Sequence, residues 1–199
     1  MKKKSLLYLF LMMIVISPLS ARDYLSLGFT VDLGFNCDEE VIDEMGLMFP
    51  KPSIFFGVNH YKENETTGFH IDGNIILSHD KNAFYMGLSS LIGPSFLFPF
   101  ENESGFIISP GLSAGFILGG SSDEEKNTDT TIGQAYLGIG TNVMYFFRSG
   151  FSIGLSLNYY PLMFVYHSNE ENNIINKFSK RENYFSIGIS IAYTDWFNY

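Results

Sequence analysis

The sequence predicts an all-β chain, closed into an antiparallel up-and-down barrel of eight strands that crosses a membrane. Three observations carry that expectation. Bulky apolar and small residues alternate with period two through eight segments, and successive strand side chains face opposite sides of a sheet. The second face of those segments is mostly Gly, Ser, Thr and Asn, without the Lys, Glu and Arg of a water-facing sheet. Most charge is gathered between the segments, in runs such as "CDEEVIDEMG", "SSDEEKNTD" and "NEENNIINKFSKRE".

The segments follow in order. In "YLSLGFTVDLGFN", Leu25, Leu27, Phe29, Val31, Leu33 and Phe35 share one face, and Ser26, Gly28, Thr30, Asp32 and Gly34 the other. "SIFFGVNHYK" sets Ile54, Phe56 and Val58 against Phe55, Gly57 and Asn59. "GFHIDGNIIL" sets Phe69, Ile71, Ile75 and Leu77 against His70, Asp72 and Asn74. A fourth strand opens at "AFYMGLSSLIG" and keeps its phase to Phe100. "GFIISPGLSAGFIL", "QAYLGIGTNVMYFF" and "FSIGLSLNYY" supply the next three, and the stretch ending at Tyr199 the eighth.

A sheet with one greasy face and one small, weakly polar face suits a closed barrel in lipid. Acyl chains meet the greasy side, and the small side packs a narrow lumen. Within a bilayer the backbone finds no water, so the sheet must close without an edge. Aromatic residues near strand ends (Tyr24, Phe35, Tyr61, Tyr145, Phe146, Phe147, Tyr159, Tyr160, Tyr193 and Trp196) are expected to form the girdles at the two membrane interfaces. "RSG" and "ENESG" read as tight turns, whereas the segments after strands one, five and seven read as long acidic loops. Short turns on one side and long loops outside is the outer-membrane arrangement. "HDKN" after strand three is short where a long loop is expected.

The chain opens "MKKKSLLYLFLMMIVISPLSA": three Lys, an apolar run from Leu6 to Ile16, then small residues up to Ala21. That is the layout of a secretory signal peptide over residues 1–21, cleaved after Ala21, with the barrel occupying 22–199. A membrane anchor would need about 20 apolar residues, more than this run supplies. Losing Met1–Ala21 leaves nine basic against twenty-one acidic residues. So acidic a chain disfavours nucleic acid as a partner, which requires basic patches. Cys37 is the lone thiol, so no disulfide framework is expected.

The closing "SIGISIAYTDWFNY" resembles the C-terminal signal of bacterial outer-membrane barrels, where alternating hydrophobic positions end on an aromatic residue. Ile187, Ile189, Ile191, Tyr193, Phe197 and Tyr199 match that pattern; Asp195 interrupts it, and the usual last residue is Phe. The resemblance implies that the barrel-assembly machinery reads this strand and that it pairs with strand one. Mature length and strand count are similar to the small eight-stranded class (OmpX-, OmpA- or OmpW-like).

Candidate chemistry is sparse. Asp32, Asn59, His70, Asp72 and Asn74 form the polar concentration on the lumen face, with no Lys or Arg there. Burying an unpaired carboxylate is costly, so the expectation is either a lumen that admits water at this level or Asp72 paired with His70. A hydrogen-bonded filler is the plain reading, and a solute or proton site the sharper one. Ser78, His79 and Asp80 are neighbours on one strand and point apart, so they form no triad unaided. His167 and Ser168, with Asp129 or Glu125, fall in loops with no geometry fixed by sequence. The acidic runs Asp38–Glu44 and Asp123–Asp129 lack the EF-hand frame and read as solvated loop tips. Asn64 in "NETT" fits a glycosylation triplet, but on a short turn. Pro110 sits mid-strand on the lipid-facing phase and marks a bulge or weakened pairing; a lateral gap is the bolder reading. The expected role is therefore non-enzymatic, structural or surface-exposed, with outer-membrane lipid and an extracellular or host ligand as partners and no cofactor. A narrow channel for small hydrophobic solutes comes second and a lipid-modifying enzyme third.

Overall fold

The computed structural model of the protein describes residues 21–36, 51–62, 64–80, 83–123, 128–169, 177–181 and 184–198. Residues 1–20 of the expected signal peptide, the run Asp38–Glu44, Glu125 and Tyr199 lie outside them. Among the described residues, nine strands follow one another: β1 (Ala21–Asn36), β2 (Lys51–Lys62), β3 (Thr67–Asp80), β4 (Ala83–Pro99), β5 (Gly105–Asp123), β6 (Thr128–Phe146), β7 (Phe151–Asn169), β8 (Lys177–Arg181) and β9 (Tyr184–Asn198).

Eight of them make the wall. Each of β1 to β7 pairs antiparallel with the next, β7 pairs with β9, and β9 returns to β1 over Arg22–Asn36. The ring is closed, as the alternation and the aromatic C-terminal strand predict. β8 is an addition that sequence reading took for loop: it pairs only with Met163–His167 of β7, at the end away from the chain termini. Passing from partner to partner, Leu25, Val58, Ile71, Ile92, Leu112, Ile139, Tyr159 and Phe185 lead back to β1 at Phe35. The ladder has climbed from residue 25 to residue 35 in one circuit, and such a stagger goes with strands tilted about 35–45° to the barrel axis.

The outward phase is as expected. Phe29 is 70% exposed and Leu112 68%, and the same face carries Leu27, Ile189, Ile191 and Tyr193. A water-soluble surface rarely leaves so continuous an apolar band uncovered; hydrocarbon is its natural solvent. Three short turns, around residues 63–66, 100–104 and 147–150, cluster at the end that also holds both strand termini, Ala21 and Asn198. Each carries one left-handed residue: Asn64, Glu103 and Gly150. Asn and Gly tolerate that conformation readily, and Glu103 holds it while ion-paired to Arg148 at 3.0 Å, both exposed.

At the far end, two of the three segments expected to be long loops are partly strand. β5 continues to Asp123 and β6 begins at Thr128, so Ser121–Asp123 and Thr128–Asp129 of "SSDEEKNTD" are strand, and the rest of that acidic run lies outside the described residues. β7 continues to Asn169, which places His167 and Ser168 in the ladder opposite Ile132 and Thr131, not in a loop. The ladder between β3 and β4 runs out to Asp80 opposite Ala83. About ten residues of a tilted strand cross the hydrocarbon; beyond that depth the outer face meets water, apolar alternation fades, and the strand leaves no signature.

The proline effects also differ in part from expectation. The ladder between β4 and β5 pairs Ile92 with Leu112 and Phe96 with Ile108 but nothing between, where Pro94 lies across from Pro110. Pairing is weakened there without any register shift. The one shift between neighbouring wall strands lies instead between Leu137 and Ile139 of β6, opposite Tyr160 and Pro161 of β7. Tyr160 and Met163 both point inward across it, so β7 changes phase.

Ile189 sits mid-strand on the outer face between Val31 and Leu155. Ile189→Arg is expected to lower stability by about 2–4 kcal/mol, the cost of a cation on the lipid face near the midplane, as read by denaturant titration in vesicles. The inward-facing neighbour variant Ser190→Ala should cost much less.

Candidate functional site

The lumen is built in layers. An eight-stranded wall leaves room only for side chains or one small ligand, and here side chains take nearly all of it. Near the short turns, Tyr24, Tyr61, Leu97, Ile107 and Phe146 form one buried cluster. Tyr24 meets Tyr61 edge-on at 5.6 Å and Phe146 at 5.5 Å. Toward the other end, Ile76, Tyr85, Ile117, Tyr160, Met163 and Tyr184 form a second, joined by Tyr136. Tyr160 lies 4.7 Å from Tyr136 and 5.7 Å from Tyr184. Four residues expected in the interfacial girdles, Tyr24, Tyr61, Phe146 and Tyr160, are therefore lumen plugs. Tyr193 and Phe147 do face outward. The parity of each residue decides: Tyr24 shares its phase with Ser26, and Tyr160 with Asn158.

Between the plugs runs a belt of small polar side chains. The five residues read from sequence are all in it, yet they do not form one group. Asn59 accepts from Ser95 at 2.8 Å and from Ser109 at 3.2 Å, while Tyr61 and Ser95 share a hydrogen bond at 2.5 Å. Asn74 donates to Ser89 and accepts from Ser53. Asp32 accepts from Ser156 at 3.5 Å, and the register sets it opposite Lys51, a cationic residue that alternation had left just outside the second strand. His70 and Asp72 are the pair that sequence anticipated, and they come close without bonding: His70 Nε2 stands 3.9 Å from Asp72 Oδ2, too long for a direct hydrogen bond. On the opposite wall, Asn142 donates from Nδ2 to the same Asp72 oxygen at 3.2 Å. Strand phase had put Asn142 on the lumen face, but nothing in the sequence marked it as the partner of a residue on β3.

His70 has a second task. Its Nδ1 donates to the carbonyl of Pro94 at 3.0 Å, within the stretch where the β4–β5 ladder is interrupted. Ser95 and Ser109 face each other in the same break and converge on Asn59. Side chains on the inside thus hold the seam where Pro94 and Pro110 leave it without amide donors. A comparable knot ties β1, β7 and β9, with Thr194 taking hydrogen bonds from Ser152 at 2.7 Å and sharing one with Ser26 at 2.8 Å.

Within the belt lies a chamber of about 60 Å³, bordered by Thr30, Asp32, Asp72, Asn74, Asn142 and Ser156 among others. A cavity needs about 10–15 Å³ of such space to hold one water, so this one holds only a few. Thr30 Oγ1, Asp72 Oδ1 and Asn142 Oδ1 are buried without a hydrogen-bond partner, as is His70 Nε2 nearby. Among the described residues, no three His, Cys, Asp or Glu come together as a metal-binding group. The other candidates stay apart: Ser78, His79 and Asp80 occupy successive places on β3 opposite Tyr85, Phe84 and Ala83. Asp129 pairs with Ser122 on a different strand from His167.

His70→Ala would strip the Pro94 carbonyl of its donor. The expected result is a loss of about 1–3 kcal/mol, the usual cost of a buried polar group left unmade. Faster amide hydrogen exchange confined to β4 and β5 around residues 92–112 would locate the loss at the seam.

No protein-family model matches the chain, and no curated protein matches it in sequence. Solved structures do. Ail, the attachment invasion locus protein of Yersinia pestis, superposes with a TM-score of 0.50 at 11% identity, over 88% of this chain and 99% of that one. Neisserial surface protein A superposes with a TM-score of 0.51 at 10% identity, over 89% and 97%. At such identities the likeness is one of fold, and with the closed ring and its stagger it leads to one conclusion: this chain has the fold of the small eight-stranded outer-membrane β-barrels.

Proposed function

We propose that this chain is an integral, non-enzymatic protein of the outer membrane of a double-membraned bacterium, with a structural or surface-interaction role. The observation that carries this reading is the filled lumen. Aromatic clusters stand at both ends of the belt, and the space between them amounts to about 60 Å³. A barrel stoppered twice over is suited to presenting its rim and to anchoring, not to passing solutes. The partners that fit are lipid around the wall, the assembly machinery through Ile187 to Tyr199, and an extracellular or host ligand at the acidic far rim.

One observation favours a second reading, a lateral passage for small hydrophobic solutes: the unpaired stretch around Pro94 and Pro110. Against it, His70, Ser95, Ser109 and Asn59 lace the same stretch from inside. The third reading, a lipid-modifying enzyme, asks for a nucleophile in reach of a base. His167 and Ser168 are consecutive on β7, and consecutive strand residues point apart.

In planar bilayers the native protein is expected to give no conductance steps. Replacing Tyr24, Tyr61 and Phe146 together with Tyr136, Tyr160 and Tyr184 by Ala should produce them, whereas clearing one end alone should not. Steps from the native protein would favour the channel. Orientation is tested separately: an epitope inserted within 124–127 should be reached by antibody on intact cells, and one within 147–150 only after permeabilisation. The reverse pattern would place the acidic rim in the periplasm.

A further inference from the structure

The chamber in the lumen belt is bordered mainly by oxygen-bearing side chains. Three oxygens of residues on its border make no hydrogen bond, Asp72 Oδ1, Asn142 Oδ1 and the Thr30 hydroxyl, and each belongs to a side chain more than nine-tenths buried: Asp72 is 3% exposed, Thr30 4% and Asn142 7%. Asn142 has already spent its amide on Asp72 Oδ2, so its remaining atom is an acceptor. His70 has spent Nδ1 on the Pro94 carbonyl, and a neutral ring then offers only a lone pair at Nε2. Asp32 contributes a second carboxylate to the border, and among the described residues that line the chamber there is no Lys, Arg or His. Two of the three, Asp72 Oδ1 and Asn142 Oδ1, can only accept, and an acceptor buried in a low dielectric without a donor is costly.

From this we infer that the chamber is a site for a hard metal cation of the calcium class, held by Asp72 Oδ1, Asn142 Oδ1 and Thr30 Oγ1. Waters and the neighbouring hydroxyls of Ser156 and Ser190 complete its shell. The donor set selects the class: carboxylate, amide carbonyl and hydroxyl oxygens without thiolate suit Ca²⁺ and its relatives, not the softer transition metals. The chamber has room for one ion with roughly one or two waters. The two aromatic clusters flank the chamber and slow the exchange of the ion. The inference concerns the interior and is independent of the role proposed for the rim.

The test is to refold the full mature chain into detergent micelles in millimolar CaCl₂, treat the folded protein briefly with EDTA, desalt it, and measure calcium by mass spectrometry. The expected content is one equivalent per barrel, surviving the EDTA because it is enclosed; calcium on the acidic rim would be stripped. Protein refolded in EDTA should be free of metal and melt at a lower temperature, since a ligand bound only by the folded state raises its stability. Asp72→Asn should reduce trapped calcium to background while retaining heat-modifiable migration on gels. Should that variant fail to fold, Thr30→Val, which keeps shape and removes one oxygen ligand, should trap several-fold less calcium. Background calcium in the native protein after EDTA, with equal melting temperatures for the two preparations, would overturn the inference and leave water or a proton on the His70–Asp72 pair as the occupant. Full retention of calcium by folded Asp72→Asn, or by Thr30→Val where that is the variant tested, would overturn it too.

Discussion

The architecture depends on one requirement: inside a bilayer, every peptide N–H and C=O must find its partner within the protein. A sheet satisfies it only by having no edge. β1 and β9 join along fifteen residue pairs from Arg22–Asn198 to Asn36–Tyr184, so the last segment of the chain completes the hydrogen bonding of the first. Where the requirement is locally broken, opposite Pro94 and Pro110, the compensation comes from the lumen and from residues otherwise easy to dismiss as filler. His70 supplies the hydrogen bond that an amide would have made to the Pro94 carbonyl, and Asn59 bridges the serines on either side of the break.

Closure sets width, and width governs the interior. Eight staggered strands leave a bore that side chains can fill, and the chain fills it by type. Tyrosine and aliphatic side chains cap both ends, and serines, threonines and asparagines occupy the middle. Aromatic rings there stack on one another, as Tyr160 does on Tyr184, and Tyr61 and Tyr160 have hydroxyl partners in Ser95 and Ser113. Carboxylates in such a place must share hydrogen bonds or counter-charge. Asp72 takes such a hydrogen bond from β6, through Asn142.

Much of the wall was legible because lipid imposes a strict rule on alternate residues. Leu25 through Leu33, Ile54 through Val58 and Ile187 through Tyr193 all face outward as alternation demands. Pairing of the aromatic C-terminal strand with β1 is what its resemblance to the C-terminal signal of outer-membrane barrels implied. The far rim was not legible, since β5, β6 and β7 run on past the apolar band and their last residues look like loop. Tyr24, Tyr61, Phe146 and Tyr160 were misassigned because their nearness to strand ends was weighed above their parity, although parity was available. The candidate residues were individually found, but Asn142 stands seventy positions from Asp72, and only the closed ring brings them together. Ser95 and Ser109 were likewise ordinary members of a small-residue face until the gap between Pro94 and Pro110 gave them work.

The phase change at Tyr160 and Pro161 carries a consequence for how this chain tolerates insertions and deletions. Deleting Pro161 would take out the extra residue of the bulge: Leu162 would follow Tyr160 directly, Met163 would keep its place in the bore and Phe164 its place toward acyl chains. A one-residue deletion between Phe151 and Tyr160 can be cancelled at the same spot, with only the residues between the two points turned to the wrong side. An inserted residue has no such outlet and turns over every side chain beyond it. The bulge thus gives β7 one residue of slack in one direction alone.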